Sequence, residues 1–259
     1  MNNTFSFARF LRLFNKHTRE QYKAYLMSAA VLAGVLVLTL GLITYSNDGS
    51  LPARVQLTTF GIFLLFSGTI FTSMVFLELG NQKKAIPALT LPVSHFERFI
   101  AGWIYSFVIF QLVFFILFFA IDILVLSLGN INPLVHNELL RMDPKDLETD
   151  VIYLGFMFLN SAALLGAIYF QKMHFIKTAF ALFIFVAIIS VINAIMVHLL
   201  FGSNIHAGAP FKGIFIEENS HYFHLQPTDG GQAIFVALIC TLVVVLWITA
   251  FFRLKEKQV

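Results

Sequence analysis

The residues most able to do chemistry in this 259-residue chain are four histidines: His198, His206, His221 and His224. The last two are three positions apart, a spacing that brings both imidazoles to one face of a helix. Glu217 or Glu218 could add an oxygen ligand, but a metal site normally needs three or four ligands held together. We therefore predict no metal site and keep His221 and His224 as weak candidates. The alternative is that they are polar residues on a structured loop.

Acidic residues in apolar stretches are the second place to look, because an ionisable group inside a membrane is costly and often functional. Asp122 lies 23 residues after Phe99, about 35 Å further along a helix, which predicts a position near the outer interface. Glu78 ends another apolar stretch, beside Lys83 and Lys84. Both acids are predicted to be interfacial, whereas a proton-coupled carrier would need acids at mid-depth.

The sequence lacks the motifs that bind nucleotides or build common hydrolytic and redox sites. The patterns G-x-x-x-x-G-K-[ST], H-E-x-x-H, G-x-S-x-G and C-x-x-C are all absent. We predict that the chain is not an enzyme and has no cofactor of its own. Any energy for its work must come from an ion gradient or from another chain.

Composition indicates that the solvent around this chain is lipid. Hydrophobic residues make up 58% of the chain and include 31 Phe, and the mean hydropathy is +0.82. Charged residues make up only 12%, against roughly 25% in a soluble domain. This excludes soluble enzymes, nucleic-acid-binding modules and disordered proteins. The net charge of +3 is explained by basic loops, so no nucleic-acid partner is predicted.

Six stretches are long enough to cross roughly 30 Å of hydrocarbon as helices. They lie at about 24–46, 57–79, 99–126, 151–170, 176–200 and 232–252, and none has Lys or Arg in its middle. The short alternating segments of a membrane barrel are not seen. The predicted fold is therefore an all-α polytopic membrane protein, with residues 1–23 preceding a six-helix domain at 24–259.

The distribution of Lys and Arg predicts the orientation, because these residues are retained on the cytoplasmic side. Thirteen of the 17 precede the first span, follow the sixth, or lie in the loops 80–98 and 171–175 with the start of the fifth span. The other four lie in the alternate loops. Both termini are therefore predicted to be cytoplasmic, in a multi-pass protein of the inner (plasma) membrane.

Residues 5–22 have the pattern of an amphipathic helix that lies in the cytoplasmic interface. On a helical wheel, the apolar residues Phe7, Phe10, Leu11 and Phe14 fall opposite the basic residues Arg9, Arg12, Lys16 and Arg19. Anionic lipid would attract the basic face by about 1 kcal/mol per residue. The alternative is an ordinary basic flank that only fixes the topology.

The loop 80–98, GNQKKAIPALTLPVSHFER, is the largest internal cytoplasmic loop in this topology. Ser94, which follows Pro92, could cap a helix that begins at His95 and has Glu97 in its first turn. Apolar residues outside the membrane suggest a surface for a partner; here they are Ile86, Leu89, Leu91 and Phe96. The alternative is that they lie among lipid headgroups or fold back onto the bundle.

On the predicted outer side, the loop 127–150 is acidic, and the loop 201–231 is predicted to be partly helical and to cap the bundle. Polar residues deeper in the spans can bond between helices or line a path: Gln111, Asn160, Ser161 and Asn193. Small residues permit close helix approach, and the glycines placed to do so are Gly34, Gly68, Gly155 and Gly166.

The order of these parts, with the string LTLPVSHFERFIAGW at 89–103, resembles the permease subunit of bacterial type 2 ABC exporters. The resemblance covers nearly the whole chain by layout and about fifteen residues by motif. The chain departs from a minimal permease of that family in its outer loop 127–150, which is longer and more acidic. A lineage-specific role for that loop is therefore open.

The resemblance implies a role for each part. The first helix would be the elbow, and the segment 201–231 would form re-entrant helices that close the exit. A separate ABC ATPase, which binds ATP and Mg, would dock on the loop between the second and third spans. The docking residues would be Ala85, Ile86, Leu89, Leu91, Pro92, Val93, Ser94, His95, Phe96 and Glu97.

We therefore predict a permease subunit of an ATP-driven exporter in the bacterial inner membrane. Two permeases, as two copies or as paralogues, would work with two ATPases in the lipid bilayer. The Phe-rich spans favour an amphiphilic substrate, which the sequence does not identify. The alternatives are a non-transporting scaffold or sensor subunit and a gradient-driven secondary carrier.

Overall fold

The computed structural model describes residues 5–75, 93–129, 137–142, 147–170, 173–201, 205–207, 214–218, 221–225 and 229–256. Within these residues, six helices are long and apolar enough to cross a membrane, as predicted. They are α1 (Phe7–Ser46), α2 (Ala53–Val75), α3 (His95–Gly129), α4 (Leu147–Tyr169), α5 (His174–Phe201) and α6 (Asp229–Glu256). These helices are those of a multi-pass membrane protein.

The first helix is continuous across the predicted boundary between the interfacial segment and the first span. α1 runs for 40 residues, about 60 Å at 1.5 Å per residue, which is about twice the thickness of the hydrocarbon core. The stretch 16–30 contains neither Pro nor Gly, so no residue there breaks the helix. That residues 7–22 lie in the membrane interface stays a prediction.

The bundle has two buried apolar clusters and α4 packs between α2 and α6. One cluster joins α1, α2, α3 and α4 and includes Leu36, Phe60, Phe114, Phe118 and Phe156. The other joins α2, α3, α4 and α6 and includes Val75, Phe99, Leu164 and Leu254. Most apolar side chains of α5 and α6 remain exposed, as expected of surfaces that face lipid or another chain.

The start of α3 contacts residues near both ends of the described chain. The ring of Phe96, at the start of α3, lies 6.1 Å from that of Phe5 and 6.0 Å from that of Phe251. At the opposite end of the bundle, the side chain of Asn137 donates to the carbonyl of Gly49 at 2.7 Å and accepts from the N–H of Leu51 at 2.7 Å.

The segment between α5 and α6 differs from its predicted partly helical form. Its described residues form three short strands, β1 (Ile205–Ala207), β2 (Ile214–Glu218) and β3 (His221–Leu225). They pair antiparallel in the order β1-β2-β3, with Glu218 opposite His221. Ile, Phe and Tyr are frequent in β2 and β3, and these residue types favour strands over helices. Re-entrant helices are therefore not found at these positions.

Candidate functional site

The predicted helix start at His95 is confirmed. Ser94 is the N-cap of α3, and its hydroxyl accepts from the N–H of Glu97 at 3.1 Å. The Glu97 carboxylate in turn accepts from the N–H of Ser94 at 3.0 Å. This capping box satisfies two backbone donors that the first turn of a helix leaves unpaired. It fixes the residue at which the preceding loop gives way to α3.

The Glu97 carboxylate also joins the start of α3 to the start of α1. Its Oε1 accepts from the backbone N–H of Ser6 at 2.6 Å and from Nη2 of Arg9 at 3.2 Å. The Glu97 side chain is fully buried, and that of Arg9 is 30% exposed. A buried carboxylate is tolerated when it is hydrogen-bonded and paired with a charge. We call the set Ser6, Arg9, Ser94 and Glu97 the Glu97 joint.

Arg9 lies on the same face of α1 as Lys16, two turns further on, but its side chain is only 30% exposed because it pairs with Glu97. Arg12, Lys16 and Arg19 are exposed, as the wheel predicts. Among the apolar set, Phe10 and Phe14 face the protein, whereas Phe7 and Leu11 are 65% and 43% exposed. The Arg9 side chain turns inward because it pairs with Glu97. Since Glu97 is 88 positions away in the chain, a local sequence pattern cannot reveal this contact.

The contact between α1 and α3 continues beyond the Glu97 joint. The ring of Phe14 stacks on that of Tyr105 at 4.7 Å, and the Tyr105 hydroxyl donates to the Phe14 carbonyl at 3.2 Å. His17 and Tyr25 hydrogen-bond through Nε2 and the phenol oxygen at 2.6 Å. Side chains from the first half of α1 thus pack against the protein itself.

The structure describes half of the predicted docking residues. Ala85, Ile86, Leu89, Leu91 and Pro92 lie outside the described residues. Of the others, Ser94 and Glu97 are buried and bonded within the chain. Val93 and His95 are partly exposed and Phe96 is 47% exposed. A partner at this surface would therefore contact Val93, His95 and Phe96, while Ser94 and Glu97 hold the surface in place.

A second polar cluster, formed by Thr72, Ser106 and Asn160, lies inside the bundle. The Asn160 side-chain amide donates to Oγ1 of Thr72 at 2.7 Å and to the Ser106 carbonyl at 3.1 Å. All three residues are fully buried. Ser106 belongs to a π-helical stretch of α3, Ile104–Ile109, and such stretches disturb the regular backbone ladder and are frequent at functional sites. Asn160 thus joins α2, α3 and α4, as its predicted interhelical role requires.

Asp122 is fully buried within the protein; its predicted depth, near the outer end of the third span, stays a prediction. The backbone N–H of Leu140 approaches the carboxylate. Neither oxygen, however, has a partner at hydrogen-bonding geometry among the described residues. The reason for the burial is the segment 137–142, which covers this part of the bundle: Gln56 Nε2 donates to the Glu138 carbonyl at 2.9 Å. Glu78, the other acid considered, lies outside the described residues.

The histidine pair considered as a metal candidate lies in β3 and not on a helix. The strand repeat is two residues, so positions 221 and 224 no longer share a face as they would in a helix. Within the part of the chain that the structure describes, no group of three or more His, Cys, Asp or Glu could hold a metal ion. This arrangement therefore gives no further support to His221 and His224 as metal ligands.

Within the described residues, these features define a membrane protein with six span-length helices, of which the first and third are joined by an ion pair between Arg9 and the buried Glu97. Comparisons with protein-family models, with curated proteins and with solved structures find no match. The functional conclusion therefore rests on the arrangement of this chain's own residues.

Proposed function

We propose that this chain is the permease subunit of an ATP-driven ABC exporter in the bacterial inner membrane, with both termini in the cytoplasm. The observation that carries the proposal is the Glu97 joint at the base of the predicted docking loop. A loop that receives force from an ATPase needs a stiff attachment to the spans. The capping box and the bonds from Glu97 to Ser6 and Arg9 supply one.

The side chains at the loop base suit a protein partner. Phe96 keeps 47% of its surface exposed although its ring contacts Phe5 and Phe251. An aromatic side chain held by its neighbours loses little conformational freedom on binding and contributes a large contact area. In the proposed complex, Phe96 and Leu91 are the apolar anchors for the ATPase.

The working unit in this proposal contains two permeases, identical or paralogous, and two ATPase chains that bind ATP and Mg. Movement of the docking loop is passed to α3 through its first turn and to α1 through Ser6 and Arg9. Since α1 and α3 belong to the cluster that includes Leu36, Phe60 and Phe114, a rigid shift of both would change the packing of the bundle. The proposed substrate is amphiphilic.

The experiment is purification of the tagged protein from its native membranes in mild detergent, with mass spectrometry of the chains that accompany it. We expect a stoichiometric soluble chain with a nucleotide-binding G-x-x-x-x-G-K-[ST] motif. The double variant Leu91→Asp, Phe96→Asp is expected to lose this chain while still inserting into the membrane.

Met173→Asp is the matched control, because Met173 is also an exposed apolar residue, 62% exposed, in the loop between α4 and α5. That loop lies on the same predicted side of the membrane, and the control is expected to retain the partner. Consistent absence of an ATPase from the folded wild-type protein, or full retention by the double variant, would contradict the docking assignment.

The second candidate function is a gradient-driven secondary carrier, and the burial of Asp122 favours it. Carriers bind protons or cations on acidic groups within the bundle. For such a carrier, Asp122→Asn abolishes uptake into vesicles that hold an ion gradient, and no ATPase is required. A non-transporting scaffold or sensor subunit would bind the ATPase, yet vesicles containing the complex would move no substrate.

A further inference from the structure

A groove between α1 and α2 opens near the end of the bundle opposite to the start of α3. Its volume is about 490 Å³. Ile43 and Thr39 of α1 form one wall, and Arg54, Thr58, Ile62 and Phe63 of α2 form the other. In the predicted topology this groove lies in the outer half of the membrane, beside the first outer loop.

The residues along the groove change from charged to apolar with depth. Arg54 lies in the first turn of α2, Thr58 one turn further, and Ile62 and Phe63 beyond it. The nine residue steps from Arg54 to Phe63 span about 14 Å of helix. That depth is close to one leaflet of hydrocarbon, about half of the roughly 30 Å core. The groove therefore offers a cation at headgroup level and an apolar channel below it.

Two hydroxyl groups of the groove bond to the backbone of their own helices. Thr58 Oγ1 donates to the Arg54 carbonyl and Thr39 Oγ1 to the Val35 carbonyl, each at 2.8 Å. The guanidinium of Arg54 is exposed and forms no ion pair with any described residue. Among the described residues, the groove thus presents one cation without an ion-pair partner, Arg54, and a mostly apolar wall.

We propose that this groove binds one phospholipid of the outer leaflet. The Arg54 guanidinium binds the phosphate, since its planar fork matches a phosphate group. One acyl chain lies along Ile43, Ile62 and Phe63. This site does not depend on an ATPase or on the proposed export function, and it explains a cation next to a groove whose other walls are apolar.

The experiment uses the full chain in nanodiscs with phosphatidylglycerol that carries a photoactivatable diazirine on one acyl chain. Labelled peptides are mapped by mass spectrometry, and labelling within 39–63 is divided by labelling within 7–23. Loss of a charge-assisted hydrogen bond predicts that Arg54→Ala reduces this ratio about tenfold. Arg141→Ala is the control, because Arg141 is an exposed basic residue on the same predicted side, and it leaves the ratio unchanged.

Two further experiments test the phosphate contact and the acyl-chain contact of the lipid separately. A diazirine-bearing diacylglycerol, which lacks the phosphate, is expected to label 39–63 in the wild type about tenfold less than phosphatidylglycerol. Ile62→Trp fills the groove while keeping Arg54 and is expected to reduce labelling by both lipids. If Arg54→Ala does not fold, the Ile62→Trp variant still tests the proposal. Equal labelling of the wild type and Ile62→Trp, or equal labelling by both lipids, would overturn the proposal.

Discussion

The backbone N–H of Ser6 donates a 2.6 Å hydrogen bond to Oε1 of Glu97, although the two residues are 91 positions apart. The same oxygen accepts from Arg9, and the other carboxylate oxygen accepts from the N–H of Ser94. One buried side chain therefore fixes both the start of α3 and the position of α1 against it.

Glu97→Ala is expected to lower the free energy of unfolding by about 3 kcal/mol, because it leaves a partly buried Arg9 and two backbone N–H groups without their acceptor. Thermal unfolding in detergent measures the change. The control is Glu256→Ala, which removes the Arg253–Glu256 ion pair, whose side chains are 47% and 64% exposed. Such a pair contributes about 0.5 kcal/mol. Equal losses in the two variants would show that the Glu97 joint contributes little.

Asn160→Ala is expected to lower the free energy of unfolding by about 2 kcal/mol, since Thr72 and the Ser106 carbonyl each lose a buried hydrogen bond. Thr72→Val removes only one of these bonds, so its effect is expected to be smaller. A double-mutant cycle with the two changes measures their coupling. Thr241→Val is the control, because the Thr241 hydroxyl is exposed and bonds only to its own helix. Strictly additive effects would mean that the Thr72–Asn160 contact carries no energy.

Asp122→Asn is expected to stabilise the protein by about 1 kcal/mol or more, because neither oxygen of the buried carboxylate has a hydrogen-bond partner among the described residues and the amide has the same shape without the charge. Asp150→Asn, at an exposed acid of α4, is expected to change stability by less than about 0.5 kcal/mol. Unfolding midpoints of both variants give the comparison. A stabilised variant that loses transport would assign Asp122 a functional role, whereas a destabilised one would mean that its carboxylate has a partner.

Gly166→Ala is expected to cost about 1–3 kcal/mol of stability through overpacking. A Cβ at this position would overlap the Thr178 side chain, so the glycine permits α5 to approach α4. Gly34→Ala is the matched control, because nothing lies within 4 Å of a Cβ built there, and alanine favours a helix over glycine. The pair is compared by unfolding midpoint, and a loss at Gly34 as large as that at Gly166 would contradict this reading.

The sequence alone predicts the parts of this fold that depend on local patterns. Six apolar stretches locate the six helices, and Ser94 with Glu97 three residues later predicts the start of α3. The interhelical role of Asn160 also follows from a polar amide inside an apolar span. Each of these signals is contained within one turn or one span of the chain.

The remaining features depend on contacts between residues that are distant in the sequence. The inward turn of Arg9 requires Glu97, and the burial of Asp122 requires the covering segment 137–142. The Ile, Phe and Tyr residues of β2 and β3 favour strands. A helical interpretation of the histidine spacing does not predict these strands. The groove at Arg54 could not be foreseen because it depends on the relative placement of two helices.

Because α1 is one continuous helix of 40 residues, a movement at one of its ends also moves the other. Its N-terminal end is fastened at Ser6 and Arg9, and about 50 Å further along its residues Thr39 and Ile43 form a wall of the groove beside Arg54. Because α1 is one continuous helix, an angular displacement at its N-terminal end is carried toward the residues that line the groove. A change in the angle between α1 and α3 at Glu97 would therefore widen or narrow the groove beside Arg54.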